Sequence, residues 1–494
     1  MNYYSTRDSE RKIAKTSAEV IKQGIADDGG LFLPESIPEI SLDFIKEMGT
    51  LPYSERAAKI LSLYLTDYTY EELLDCAQKA YDQNFGDFAA PVSSFIGDDL
   101  RVLELWHGPT CAFKDMALQI MPRLLSLALK KTGEKRTAYI LVATSGDTGK
   151  AALEGYKDVD ATKIMVFYPE DGVSDMQKMQ MATQEGGNVC VTAIKGNFDD
   201  AQTGVKKIFA DADAKAELDA KGSFLSSANS INWGRLAPQI VYYISAYADL
   251  VAEGDIALGE KVDITVPTGN FGNIFAAYLA KKMGLPVNRF ICASNSNNIL
   301  TDFLTTGTYD RNRKFYTTMS PSMDILISSN LERLLYIIAG AEKTTKYMKD
   351  LSEKGVYTVE KDVLDVIKAE FSAYCCDEEN CAKVISKTFD KYSYVCDPHT
   401  AVAVHAAHEY LKENGKGTKN IVASTASPYK FAEDVLISLG QEIPENIKDI
   451  LTKLSDVSKT PVPAPLANLF EKKVRFTKSV EKNHESLLSE VLAF

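Results

Sequence analysis

Val262–Leu279, VDITVPTGNFGNIFAAYL, holds a strand, a glycine loop and a helix in immediate succession. Val262-Asp263-Ile264-Thr265-Val266 is a short, β-branched apolar run that stops at Pro267. Thr268-Gly269-Asn270-Phe271-Gly272-Asn273 cannot prolong it, and Ile274–Leu279 then reads as a buried helix. The same succession occurs earlier. Ala138–Ala143 leads into Thr144-Ser145-Gly146-Asp147-Thr148-Gly149 and then Ala151-Ala152-Leu153. Further apolar runs at Lys163–Tyr168, Val189–Ile194, Arg289–Ala293 and Lys419–Ser424 alternate with helical stretches. That alternation predicts an α/β chain with parallel sheets flanked by helices.

Each glycine loop presents backbone N–H groups at a helix start, where unpaired donors and the helix dipole favour an anion. Neither loop is a nucleotide loop of the P-loop kind. That motif needs Gly five positions before its Gly-Lys pair and Ser or Thr after it, and Thr144 and Ala151 stand there. No dinucleotide fingerprint or internal repeat occurs.

A third stretch supplies a reactive group. In His107–Gln119, HGPTCAFKDMALQ, Pro109 prevents a helix before Lys114, and apolar residues from Met116 to Leu125 recur at helical spacing after it. Lys114 therefore opens a helix at a loop corner. An amine held there can be desolvated and aimed at a carbonyl.

HGPTCAFKDMALQ, SGDTG and TGNFGN, in this order, resemble the threonine synthases of the pyridoxal-phosphate-dependent fold-type-II family. GIADDGGLFLPE (Gly24–Glu35), SANSINWGR (Ser227–Arg235), DPHTAVA (Asp397–Ala403) and STASPYKF (Ser424–Phe431) extend the likeness to the long-chain form. The resemblance implies pyridoxal 5'-phosphate held covalently by Lys114, its phosphate cradled by Gly269, Asn270, Phe271 and Asn273. It implies Thr425 at the pyridine nitrogen, with Ser424 as the alternative. It also implies Thr144, Ser145 and Thr148 around a substrate carboxylate, and Asn229, Ser230 and Arg235 around a substrate phosphate. Many relatives carry Asn where this chain has Asp147; an acid there is expected to be protonated or turned away. The implied reaction converts O-phospho-L-homoserine and water to L-threonine and phosphate. A serine or threonine dehydratase, a phospho-lyase, and a non-catalytic binding protein on the same scaffold are the alternatives. The long form implies a monomer.

The resemblance divides the chain into an N-terminal module (1–92), a catalytic unit of two α/β lobes (93–440) and a helical, peripheral C-terminal segment (441–494). Residues 1–92 read as mostly helical after an extended start, with helical spacing over Glu55–Leu65 and Glu71–Tyr81.

With 494 residues, the chain is long enough for about two to four structural units. A net charge of −13 argues against nucleic-acid and anionic-membrane surfaces, so any site for phosphorylated ligands must be made positive locally. No apolar run approaches the ~20 residues of a membrane span. The start, MNYYSTRDSERKIAK, lacks an apolar signal core and carries acids, so a cytoplasmic location is expected.

The eight cysteines form no CxxC pair and read as reduced structural thiols, Cys111 included. His399, His405 and His408 are expected to serve structure rather than a metal. The acid pairs Asp98-Asp99 and Glu378-Glu379 read as solvated turns and faces.

Overall fold

Strands covered on both faces are largely apolar, and Val262–Pro267 is buried at every position, its Asp263 accepting from Asn288 Nδ2 and its Thr265 hydroxyl donating to Asn420 Oδ1. The computed structural model describes residues 1–85, 89–97, 99–144, 146–170 and 173–494. Ser145 and Asp98, singled out above, lie outside the described residues.

Val262–Pro267 sits inside a six-stranded sheet. The order is Phe371–Cys375, Val287–Ser294, Val262–Pro267, Asn420–Ser424, Leu100–Glu104 and Val92–Ile96. All neighbours are parallel except Val92–Ile96, which runs antiparallel to Leu100–Glu104. Ile264 lies opposite Phe290 on one side and Ile421 on the other. A second, all-parallel sheet runs Ser479–Glu481, Val189–Lys195, Thr162–Pro169, Thr137–Ala143, Ser223–Ser226.

The expected strands are present with only their ends adjusted, while others escaped the apolar pattern. Leu100–Glu104 is one. Its Arg101 breaks the run, yet the residue is buried because its guanidinium forks onto both oxygens of Asp255 at 2.7 and 2.6 Å.

The C-terminal segment is not peripheral. Ser479–Glu481 adds an edge strand to Val189–Lys195, and the helix His484–Ala493 buries Leu487 and Val491 beside Ala201, Val205 and Ile208. Its charged composition marks the outer face only.

The N-terminal helices Ser17–Gln23 and Tyr70–Tyr81 each open with a capping box, Thr16 with Glu19 and Thr69 with Glu72. Tyr3 and Tyr64 place their rings 5.5 and 5.4 Å from Trp233, itself fully buried. The N-terminal module thereby anchors the short helix Trp233–Leu236, which carries Arg235.

The single helix expected after Lys114 is broken into Asp115–Leu118 and Met121–Lys131. Pro122 stands in the first turn of the second piece, where its missing N–H costs no hydrogen bond.

Candidate active site

Five segments that matter for chemistry follow the C-terminal ends of parallel strands, where open α/β sheets collect ligand-binding loops. Residues 105–114 follow Leu100–Glu104, residues 144–149 follow Thr137–Ala143, and residues 227–235 follow Ser223–Ser226. Residues 268–273 follow Val262–Pro267, and Thr425 follows Asn420–Ser424. Backbone bonds stitch the first to the last. Leu105 N–H donates to Ser424 O at 3.0 Å and Phe113 N–H to Thr425 O at 2.8 Å, which fixes Lys114 beside Thr425.

Lys114 is 9% exposed. Its Nζ donates to Ser322 Oγ at 3.2 Å and stands 3.8 Å from Asp147 Oδ2. Burial pushes the ammonium down to about 8, against the pull of Asp147. The corner itself is rigid. Asp115, buried, accepts from Thr110 N–H at 2.8 Å and Thr110 Oγ1 at 2.6 Å, and a Cβ on Gly108 would sit 2.6 Å from Asp115 Oδ2.

Asp147 is buried between two lysines. Lys430 Nζ lies 2.7 Å from its Oδ1, and Gln177 Nε2 donates to the same oxygen at 3.0 Å. Burial opposes its ionisation, but Lys430 and then Lys114 outweigh that penalty and hold the carboxyl below the usual range.

The loop at 268–273 has the properties of an anion cradle. Phe271 adopts a left-handed φ of 61°, turning the chain into the helix Gly272–Met283. Gly269 packs so closely that a Cβ would come 2.9 Å from the carbonyl oxygen of Ser322. Asn270 O accepts from both Asn330 N–H and Asn330 Nδ2 at 3.0 Å, so the carbonyl side is tied back. Asn273 Oδ1 accepts from Tyr242 OH at 2.8 Å and from Tyr243 OH. Its Nδ2 is buried with no partner among the described residues, a donor left over at the helix N-terminus.

The loop at 144–149 is closed differently. Thr144 Oγ1 accepts from Gly146 N–H at 3.0 Å and Gly149 N–H at 2.9 Å, so that hydroxyl shapes its own loop. Thr148 is half-buried.

Of the pair at the end of Asn420–Ser424, Ser424 is occupied. It accepts from Trp106 Nε1 at 2.9 Å and pairs with Thr400 Oγ1 at 2.9 Å. Among the described residues, no side-chain hydrogen bond engages Thr425.

Arg235 is 6% exposed, donates to Ala228 O at 2.7 Å, and has no carboxylate partner among the described residues. Burial drives its guanidinium down to about 10. Its positive charge adds to burial in lowering the Lys114 ammonium. Ser230 is half-buried and Asn229 exposed, their side chains 3.2 Å apart.

Ser322 and Lys430 were not found from sequence. Lys430 lies in STASPYKF, which attracts attention for its hydroxyls, although a buried Asp147 demands a cation somewhere. Ser322 carries no sequence signal at all. His399 supports it: Nδ1 pairs with Asp397 Oδ2 at 2.6 Å, and Nε2 accepts from Ser322 N–H at 3.2 Å.

The chain as a whole is similar to known proteins. Family models described as "Threonine synthase N terminus", "Pyridoxal-phosphate dependent enzyme" and "Threonine synthase, C-terminal" match residues 2–81, 89–425 and 400–491. A threonine synthase of Pseudomonas aeruginosa is 37% identical over 97% of this chain and 95% of its own. The chain belongs to the threonine synthase family of pyridoxal-phosphate dependent enzymes. The PLP-bound threonine synthase structure from Brucella melitensis superposes with a TM-score of 0.88 at 35% identity, covering 100% of this chain and 99% of that one. The fold is therefore the fold-type-II architecture of this family. A protein of Pongo abelii called "Threonine synthase-like 1" is 41% identical over 92% of the chain, which spans 62% of that relative's length.

Proposed function

We propose that the chain is a threonine synthase, converting O-phospho-L-homoserine and water to L-threonine and phosphate. The observation that carries this reading is Arg235, a buried guanidinium with no acid partner among the described residues, near enough for its charge to help lower the Lys114 ammonium. The reaction needs a substrate phosphate recognised apart from the cofactor's own phosphate. Two anion sites must then coexist in a chain of net charge −13.

The residues fit pyridoxal 5'-phosphate. Lys114 would hold it covalently, the N–H groups of Gly269–Asn273 with Asn273 Nδ2 would take its phosphate, and Thr425 would meet its ring nitrogen. When bound, the cofactor supplies an electron sink for the substrate's α-carbon. Lys114 Nζ, once free, carries protons to and from the carbon atoms of the substrate, and Ser322 Oγ holds that amine in place. The free N–H groups at the start of the Asp147–Tyr156 helix, with Thr148 and the loop shaped by Thr144 and containing Ser145, take the substrate carboxylate. Arg235, with Asn229 and Ser230 at its rim, takes the phosphate that leaves the γ-carbon. Phosphate leaves, water adds at the β-carbon, and the α-carbon regains its proton. In this reading the enzyme has modules at 1–92, 93–440 and 441–494 and works as a cytoplasmic monomer without nucleic acid or membrane.

The test is release of phosphate and formation of threonine from O-phospho-L-homoserine, in native enzyme and Arg235→Leu. A charge-assisted hydrogen bond contributes about 1.5–3 kcal/mol, roughly ten- to hundredfold. Arg235→Leu should lose at least that in kcat/KM on the phosphorylated substrate. Any activity on serine or threonine should fall much less. Equal losses would assign Arg235 to the fold, and faster turnover of unphosphorylated serine or threonine would favour a dehydratase.

A further inference from the structure

Around Lys114 Nζ stand Asp115 on its own helix, Asp147, Arg235 and Lys430, with His399 behind Ser322. Two of these are already engaged elsewhere. Asp115 is held by Thr110, and His399 directs its ring nitrogens to Asp397 and to the Ser322 N–H. Arg235 carries the same sign as an ammonium on Lys114. That leaves Asp147 as the carboxylate able to trap Lys114 as an ion pair.

Asp147 has two cations within 4 Å, and the distances are unequal. Lys430 Nζ is in hydrogen-bond contact with Oδ1 at 2.7 Å, while Lys114 Nζ is out of contact with Oδ2 at 3.8 Å. Lys430 is also fixed from the other side by Thr110 O at 2.9 Å, part of the turn that carries Lys114. A fully buried lysine is costly to keep, and packing alone would be served by an apolar side chain.

We propose that Lys430 is a positioning residue that takes the Asp147 carboxylate as its own ion-pair partner and so leaves Lys114 an amine free to condense with a carbonyl. In its absence the buried carboxylate has one neighbouring lysine to neutralise it. A shift of a few tenths of an ångström would close that pair and lock Lys114 as ammonium. The direction of the Lys114 shift agrees: burial lowers it, and Arg235 and Lys430 push the same way against Asp147. This inference rests on the reading above only in taking Lys114 as the reacting amine.

The experiment is competitive labelling of Lys114 by an amine-selective acylating reagent from pH 6 to 10, on the full chain stripped of cofactor, read by peptide mass spectrometry. The native midpoint should lie near pH 8. Lys430→Met should raise it by about one unit, since an opposite charge at close range shifts a group by about 1–3 units. Lys430→Arg should restore it, and Asp147→Asn added to Lys430→Met should bring it down to the native value or below. A midpoint unmoved by Lys430→Met overturns the proposal. If that chain does not fold, Asp147→Asn alone carries the test. With Lys430 left unpaired, the midpoint should fall by about one unit, and no fall overturns the proposal. Borohydride reduction of the cofactor-loaded chain separates the two ideas. An adduct on another lysine defeats the reading of the site, whereas an adduct on Lys114 with unmoved midpoints defeats only the role of Lys430.

Discussion

The two glycine loops share one sequence pattern and end in opposite states. At 268–273 the neighbours seize carbonyl groups: Asn330 bonds Asn270 O, and Ser328 Oγ donates to Gly269 O at 2.7 Å. Beyond Thr268, whose N–H donates to Ala293 O at 2.9 Å, no backbone partner among the described residues takes the N–H groups of Gly269–Asn273, and Asn273 Nδ2 joins them. At 144–149 a side chain of the loop itself, Thr144, consumes the N–H groups of Gly146 and Gly149. A strand–glycine–helix turn is thus a permissive scaffold. Which of its N–H groups are left to meet an anion depends on which half of its backbone polarity the surroundings satisfy.

The strongest way to break this contrast is Gly269→Val. The new side chain meets the Ser322 backbone, which cannot swing aside as a side chain would. Overpacking of this kind costs about 1–3 kcal/mol, so cofactor affinity should fall roughly ten- to hundredfold by equilibrium dialysis. Gly272→Val should do less, because a Cβ there meets side chains alone, the nearest atom being Asn330 Nδ2 at 3.3 Å. Equal effects on cofactor affinity and on the Tm of the cofactor-free chain would make the loop merely structural.

Asn273→Ala sharpens the same point. It removes the spare donor and the acceptor of the Tyr243 hydroxyl, while Tyr242 OH keeps Gln239 Oε1 at 3.2 Å. Loss of one such bond costs about 1 kcal/mol, so affinity should drop about fivefold while the cofactor-free chain also loses stability. Unchanged affinity would mean that the free Nδ2 faces no ligand.

The smallest effect belongs to the other loop. Thr144→Ala frees two N–H groups in a loop that is already formed, at a cost of about 1 kcal/mol in unfolding free energy. Cofactor affinity should be unaltered. A clear loss of cofactor in Thr144→Ala would erase the distinction between the loops.

Local physics was legible in the chain. Apolar runs and glycine turns marked the inner strands, because a strand buried on both faces has little choice of side chain. Pro109 and the apolar spacing after it located the corner at Lys114, and the family motifs came with it. What sequence could not supply were facts about partners. Arg101 interrupts an apolar run, and its burial within a strand makes sense once Asp255 arrives to pair with it. Ser479–Glu481 looks like a charged tail until Val189–Lys195 pairs with it. Lys430 stands 283 residues from Asp147 by their numbering, and Ser322 is 208 from Lys114. Periodicity reports which face of an element is buried, not which distant charge arrives there. The charges that surround Asp147 and Lys114, and the burial of Arg235 against a carbonyl with no carboxylate among the described residues, are sums over such arrivals, so the tertiary structure alone decides them.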